Sequence, residues 1–221
     1  MLELENITKA YGSFRVLEGV NLTCRQGQAI CVAGTNAAGK TTLLTIAAAL
    51  QKQDSGTVTC DGKIGYVSQD AALMTDLSVR DNLALWYAAN DLPKSGLFSA
   101  ASTETALGLR LYEKKRVSAI SGGIRKRLAI ACALIGEPAY LLMDEPFTAL
   151  DLQSRTDITQ LLVLLKTQGR GLLFTSHDPS MITAVADCVL LLRDGKIMDE
   201  LVLSGDAAMR SAQIIELISR V

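Results

Sequence analysis

Gly34, Gly39, Lys40 and Thr41 stand in the order G-x-x-x-x-G-K-T within "CVAGTNAAGKTTLL", after a strand-like run and before a helix-like one. Glycines at this spacing let backbone amides turn inward around phosphate oxygens, and the start of a helix adds positive potential. In such a loop Lys40 reaches the β- and γ-phosphates, and the Thr41 hydroxyl binds magnesium. The plain alternative is a glycine-rich turn with an incidental lysine, and the flanking strand and helix weigh against it. Binding of a nucleoside triphosphate follows; the base and the purpose do not.

A second group closes the apolar run "AYLLMDEPFTALD", where Asp144 and Glu145 end a buried strand. An acid there is expensive unless it meets a cation or water. Asp144 suits a magnesium shell, and Glu145 can orient or deprotonate an attacking water. Asp-Glu-Pro is also ordinary turn chemistry, a reading that weakens beside a phosphate loop. A third oddity is "AISGGIRKR", with Gly122 and Gly123 together at a helix start, where paired glycines are unfavourable.

These residues need a scaffold. Strand-like segments recur at Leu2–Thr8, Val16–Thr23, Gln28–Ala33, Gly56–Cys60, Ile64–Ser68, Tyr140–Met143, Gly171–Thr175 and Asp187–Leu192. Continuous apolar strands followed by helical patterns imply a mostly parallel sheet covered on both faces, whereas the alternating amino-terminal segments imply an antiparallel appendage. In Asp151–Lys166, Ile158, Leu161, Leu162 and Leu165 fall at helical spacing, with Asp151 as cap and Gly169 as stop. The stretch Ala71–Arg116 reads as helices and polar loops, and "NDLPKSGLFSAAST" is its loosest, most mobile part. Trp86 and Tyr87 lie in a helical stretch as core or partner-contact residues.

Composition excludes more than it assigns. Apolar residues are 49% of the 221, enough for a sizeable core, and the net charge of -1 gives no support for nucleic-acid binding. No apolar run approaches the roughly 18–20 residues of a membrane span, and the amino terminus does not read as a signal peptide. The five cysteines contain no C-x-x-C pair and read as small buried residues in a reducing, cytosolic compartment. One histidine, His177, rules out a histidine-rich metal site.

With six motifs in order along nearly the whole length, the D-loop counted with the Walker B it follows, the chain resembles the nucleotide-binding subunit of an ABC (ATP-binding cassette) transporter. Tyr11 in "KAYGSFRVL" is similar to the aromatic that stacks on adenine; Gly34, Thr35, Asn36, Ala37, Ala38, Gly39, Lys40, Thr41 and Thr42 form the Walker A. Gln69 in "IGYVSQD" matches the Q-loop glutamine that touches magnesium or water. Ser121-Gly122-Gly123 matches the signature, Asp144-Glu145 the Walker B with its catalytic glutamate, Asp151 the D-loop, and His177 the switch histidine at the γ-phosphate. Taken singly, Tyr11 passes for a loop aromatic, and Gln69 and His177 for surface residues; their joint occurrence decides.

The resemblance implies one α/β nucleotide-binding domain over 1–221. Residues 1–70 and 135–221 would form a P-loop NTPase core with a mostly parallel sheet and an antiparallel β subdomain. Residues 71–134 would be an inserted α-helical subdomain that carries the signature and receives a membrane subunit. It further implies ATP and Mg2+, hydrolysis of ATP, and a head-to-tail dimer with a second nucleotide-binding subunit, identical or different. There Ser121, Gly122 and Gly123 would face the partner's nucleotide. The pore would be a separate transmembrane permease subunit, with this chain peripheral on the cytoplasmic face of the cell membrane. Short length without a further domain leans towards export. The alternative is a soluble ABC ATPase of a non-transport assembly complex.

Departures from the family pattern are also legible. Ala37 replaces a common glycine, at a cost of about 1 kcal/mol if the position needs positive φ. Gly62 and Gln69 are unusually close, implying a trimmed hairpin, and Ile120 replaces the usual leucine before Ser121. Ile124 replaces the common glutamine after the glycines and, with Leu128, Ala131, Cys132 and Ile135, extends a buried stripe.

Overall fold

The computed structural model describes residues 1–219, and among these nine strands form two sheets; residues 220–221 of the expected domain lie outside the described residues. Strands β1 (Leu2–Tyr11), β2 (Phe14–Cys24) and β4 (Ser55–Cys60) make an antiparallel sheet with β1 in the middle. The larger sheet runs β5 (Ile64–Val67), β6 (Tyr140–Met143), β7 (Gly171–Thr175), β3 (Ala29–Ala33), β8 (Cys188–Arg193) and β9 (Lys196–Val202). Its first five strands are parallel and β9 is an antiparallel edge.

Strands β3, β6 and β7 are buried at every position, which is why they read as unbroken apolar runs. One face of β3, with Ile30 and Val32, packs on α1 (Lys40–Ala47) and the leucines of the antiparallel sheet. The other, with Ala29, Cys31 and Ala33, meets α5 (Leu152–Thr167), α6 (Pro179–Val185) and α7 (Ala207–Ile218). A separate cluster gathers between α2 (Val79–Ala89), α3 (Thr103–Ala106) and α4 (Gly122–Leu134). Helix α4 contributes to this cluster through Ile124 and Leu128 and to the sheet core through Ile130 and Leu134, so the expected boundary at Leu134 ends a helix packed on both sides.

The α/β class, the parallel sheet and the antiparallel appendage are as expected. So are two helix starts: Ser121 accepts from Ile124 N at 3.4 Å, and Asp151 from Ser154 N at 2.7 Å. The capping box of Ser78 and Asp81 at the start of α2 was not foreseen. Three expectations need correcting. The trimmed hairpin is absent: β4 pairs with β1 and β5 with β6, so the chain crosses between sheets there. Strand β9 was not anticipated, although Asp194 and Gly195, both at positive φ (48° and 75°), form the turn that an Asp-Gly pair favours in a hairpin. The segment "NDLPKSGLFSAAST" is anchored rather than loose. Leu97 and Phe98 are buried, the buried Glu104 carboxylate accepts from Phe98 N at 2.8 Å, and Arg110 donates to Phe98 O at 2.7 Å.

Candidate functional site

Parallel strands place their carboxyl ends along one edge, where open α/β sheets bind ligands. Here three such ends converge: the loop after β3, Asp144-Glu145 after β6, and Ser176-His177 after β7. They border a cavity of about 520 Å³, with Gln69 after β5 and Val16 of β2 completing its wall.

The loop after β3 is shaped by what its glycines permit. Gly39 adopts φ 101° and packs so tightly that a Cβ would lie 2.7 Å from the Val16 carbonyl oxygen. Lys40 is the first residue of α1; its buried ammonium donates to Gly34 O at 2.8 Å and Thr35 O at 2.9 Å, which leaves one N–H for an anion. Ala37 lies at φ 65°, so the alanine does occupy a left-handed position. Asn36, Ala37, Gly39, Lys40, Thr41 and Thr42 line the cavity, while Thr35 and Ala38 face an adjoining one of about 220 Å³.

Asp144 is only 2% exposed, yet both its oxygens are satisfied by hydroxyls: Thr41 donates at 2.6 Å and Thr175 at 2.7 Å. The Thr175 oxygen accepts in turn from Glu145 N at 2.8 Å, pinning the two acids in register. Glu145 has φ 44°, a strained backbone for a non-glycine residue. Its carboxylate faces His177, whose Nδ1 lies 3.1 Å from each oxygen, and Thr148, which donates at 3.3 Å. No cluster of three or more His, Cys, Asp or Glu occurs among the described residues. A hydroxyl, one carboxylate and an amide beside phosphates fit Mg2+, which keeps several waters and takes few protein ligands. Thr41, Asp144 and Gln69 would hold it.

Not every expected residue meets the cavity. Tyr11 is 52% exposed, hydrogen-bonded through its hydroxyl to Gln51 and absent from the cavity wall; Phe14 and Val16 line the adjoining cavity instead. Ser121 and Gly122 are exposed and lie outside the cavity wall. Gly123 is buried: a Cβ there would lie 2.9 Å from Ser154 Cβ, so its bare backbone serves packing against α5. Asp151 caps α5, and the Ser154 amide holds its carboxyl below the usual carboxylate range. Arg155, one turn on, bonds Leu150 O at 3.2 Å and Asp178 at 2.8 Å, tying the Asp151 turn to the loop that carries His177. Sequence reasoning missed Thr175 and Thr148, whose only signal was their place within "FTSHD" and "PFTALD".

Beside Gln69 runs an apolar groove of about 430 Å³, walled by Tyr66, Leu73, Trp86, Ala129 and Ile135. It lies between the large sheet and the helical cluster. No helix among the described residues is long and apolar enough to cross a membrane.

The family model described as ABC transporter matches residues 17–148. The linearmycin resistance ATP-binding protein LnrL of Bacillus subtilis (strain 168) is 31% identical over 211 residues, covering 90% of this chain and 68% of that protein. The spermidine/putrescine import ATP-binding protein PotA of Mesoplasma florum is 33% identical over 210 residues; the match covers 89% of this chain and 60% of that protein. Among solved structures, a dimeric ATP-binding cassette in a post-hydrolysis state with ADP and Pi matches with a TM-score of 0.79 at 27% identity, over 93% of this chain and all of that one. A nucleotide-free cassette from an ABC transporter gives 0.80 at 23% identity, over all of this chain and 95% of that one, a likeness of fold.

Proposed function

Because this chain belongs to the ABC transporter family of ATP-binding cassettes, which hydrolyse ATP, we propose that it is the motor subunit of a multi-chain transporter. The observation that carries the reading is the meeting of Lys40, the Thr41–Asp144 pair and the Glu145–His177 pair around one cavity. Lys40 and the loop amides neutralise and fix the triphosphate. Mg2+, when bound, supplies further positive charge at the phosphates. Glu145 orients or deprotonates the attacking water, and His177, held against it, keeps the carboxylate turned to the γ-phosphate side. Tyr11, outside the cavity wall here, would have to turn towards it to stack on the base, whereas Phe14 and Val16 already line the adjoining cavity.

One chain leaves this site open. Ser121 and Gly122 are exposed away from their own cavity, which supports a second cassette, identical or different, packing head to tail so that each signature helix meets the other's nucleotide. The groove beside Gln69 supports docking of a transmembrane permease subunit, and the chain would then lie on the cytoplasmic face of the membrane. Substrate and direction then belong to that membrane partner. Capture of the chain from solubilised membranes tests the reading: co-purification of a polytopic membrane protein is expected, and recovery with soluble proteins alone would favour a non-transport assembly ATPase.

A further inference from the structure

Lysine is a poor core residue, yet Lys126 is 4% exposed in the middle of α4. Taking an ammonium out of water is expensive unless its protons find acceptors. Here Nζ donates to Gln69 O at 2.9 Å and reaches Ser68 O at 3.5 Å, both backbone carbonyls just beyond β5. Burial pushes this lysine below its ordinary range, while Asp144, Asp70 and Glu145 favour the charged form. Ser68 O also accepts from Ala71 N at 3.1 Å, whereas the buried Ser68 hydroxyl has no hydrogen-bond partner. Gln69 lines the cavity, and Ser121 caps the same helix five residues before Lys126.

We propose that Lys126 is a positioning residue for Gln69, a charged tether from the signature helix to the backbone of the glutamine that faces the metal and water. The proposal rests on the reading of Gln69 given above. An unbranched side chain one atom shorter and without donors, methionine, fills most of the same space but releases the Gln69 carbonyl, so Gln69 is no longer held in register with Asp144 and Glu145. Because the tether springs from α4, any shift of Ser121 on meeting a partner's nucleotide reaches Gln69 through a hydrogen bond rather than through loose packing. In "IRKR" the lysine looks like one of three solvent-facing cations; its inward direction becomes legible only when α4 is laid against β5.

The test is a double-mutant cycle in the full chain, with steady-state ATPase measured for the wild type, Lys126→Met, Gln69→Ala and the double variant, each checked by thermal melting. Lys126→Met is expected to lower kcat about tenfold and to change KM for ATP by less than about twofold. In the Gln69→Ala background the same change is expected to cost less than about twofold in kcat, since nothing remains to be positioned. A merely structural lysine lowers both backgrounds alike. Should the methionine variant not fold, Lys126→Gln, which keeps an N–H donor on a shorter arm, repeats the cycle with the same criterion. Equal losses in both backgrounds, or full activity in folded Lys126→Met, overturn the proposal while leaving the Gln69 assignment standing. A Gln69→Ala enzyme as fast as wild type removes that assignment and the proposal with it.

Discussion

Gly123 of the signature helix rests against Ser154 of α5 with no space for a side chain: a Cβ on the glycine would stand 2.9 Å from Ser154 Cβ. The contact joins the start of α4 to the first turn of the helix capped by Asp151, and an Arg127–Asp157 ion pair reinforces the same seam. Alanine at 123 gains up to about 1 kcal/mol of helix propensity but overpacks this contact by about 1–3 kcal/mol. Gly123→Ala is therefore expected to lower the melting temperature, and the loss should vanish or reverse in a Ser154→Gly background. Equal destabilisation in both backgrounds would show that Ser154 is not the obstacle.

Ala37 is held at φ 65° in the phosphate loop, a conformation that glycine adopts freely. Ala37→Gly should raise unfolding stability by about 0.5–1 kcal/mol, relief of the strain exceeding the extra chain entropy of glycine. Denaturant unfolding without nucleotide measures it, and a less stable variant would show that the loop tolerates the alanine without strain.

His177 touches both oxygens of Glu145 and little else of chemical use. His177→Ala should cut kcat roughly 100-fold with little change in KM for ATP, as expected for a group that acts in the chemical step. A variant with raised KM and normal kcat would assign the histidine to binding instead.

Burial raises the thiols of Cys24, Cys132 and Cys188 to about 12, and raises Cys31 as well, whereas Cys60 is exposed. At pH 8 one thiol should react quickly with a thiolate-specific reagent, and five after denaturation. The linkage runs towards alkaline pH. A raised thiol contributes stability fully below its ordinary value of 9.0, and that contribution fades as pH climbs towards about 12. Fast reaction of two or more native thiols would contradict the burial pattern.

How much of this was legible in the residues varies with how local the cause is. Lys40, Thr41, Asp144 and Glu145 announce themselves because phosphate and metal chemistry demands fixed types at fixed spacing, and the caps Ser121 and Asp151 because capping is decided within four residues. Thr175 could not be singled out: its hydroxyl matters only once β7 lies beside β6 and meets Asp144. The burial of Ile124 is legible too, since a helical stripe is local. The packing role of Gly123, beyond the helix start and phosphate site its sequence suggests, is not legible, because its neighbour Ser154 lies 31 positions away. Strand β9 is the opposite case, with an Asp-Gly turn in plain view beside a run too polar to suggest a strand.

Most directly open to test is the proposal that two such chains close over ATP and that Glu145 is the general base for the attacking water. Glu145→Gln, given saturating ATP and magnesium and followed by light scattering alongside ATPase assay, tests both halves at once. Turnover should fall at least about 100-fold while ATP stays bound and the protein runs as a dimer, and Ser121→Arg added to it should restore the monomer. A Glu145→Gln protein that hydrolyses ATP at the wild-type rate, or stays monomeric with ATP bound, would contradict the claim.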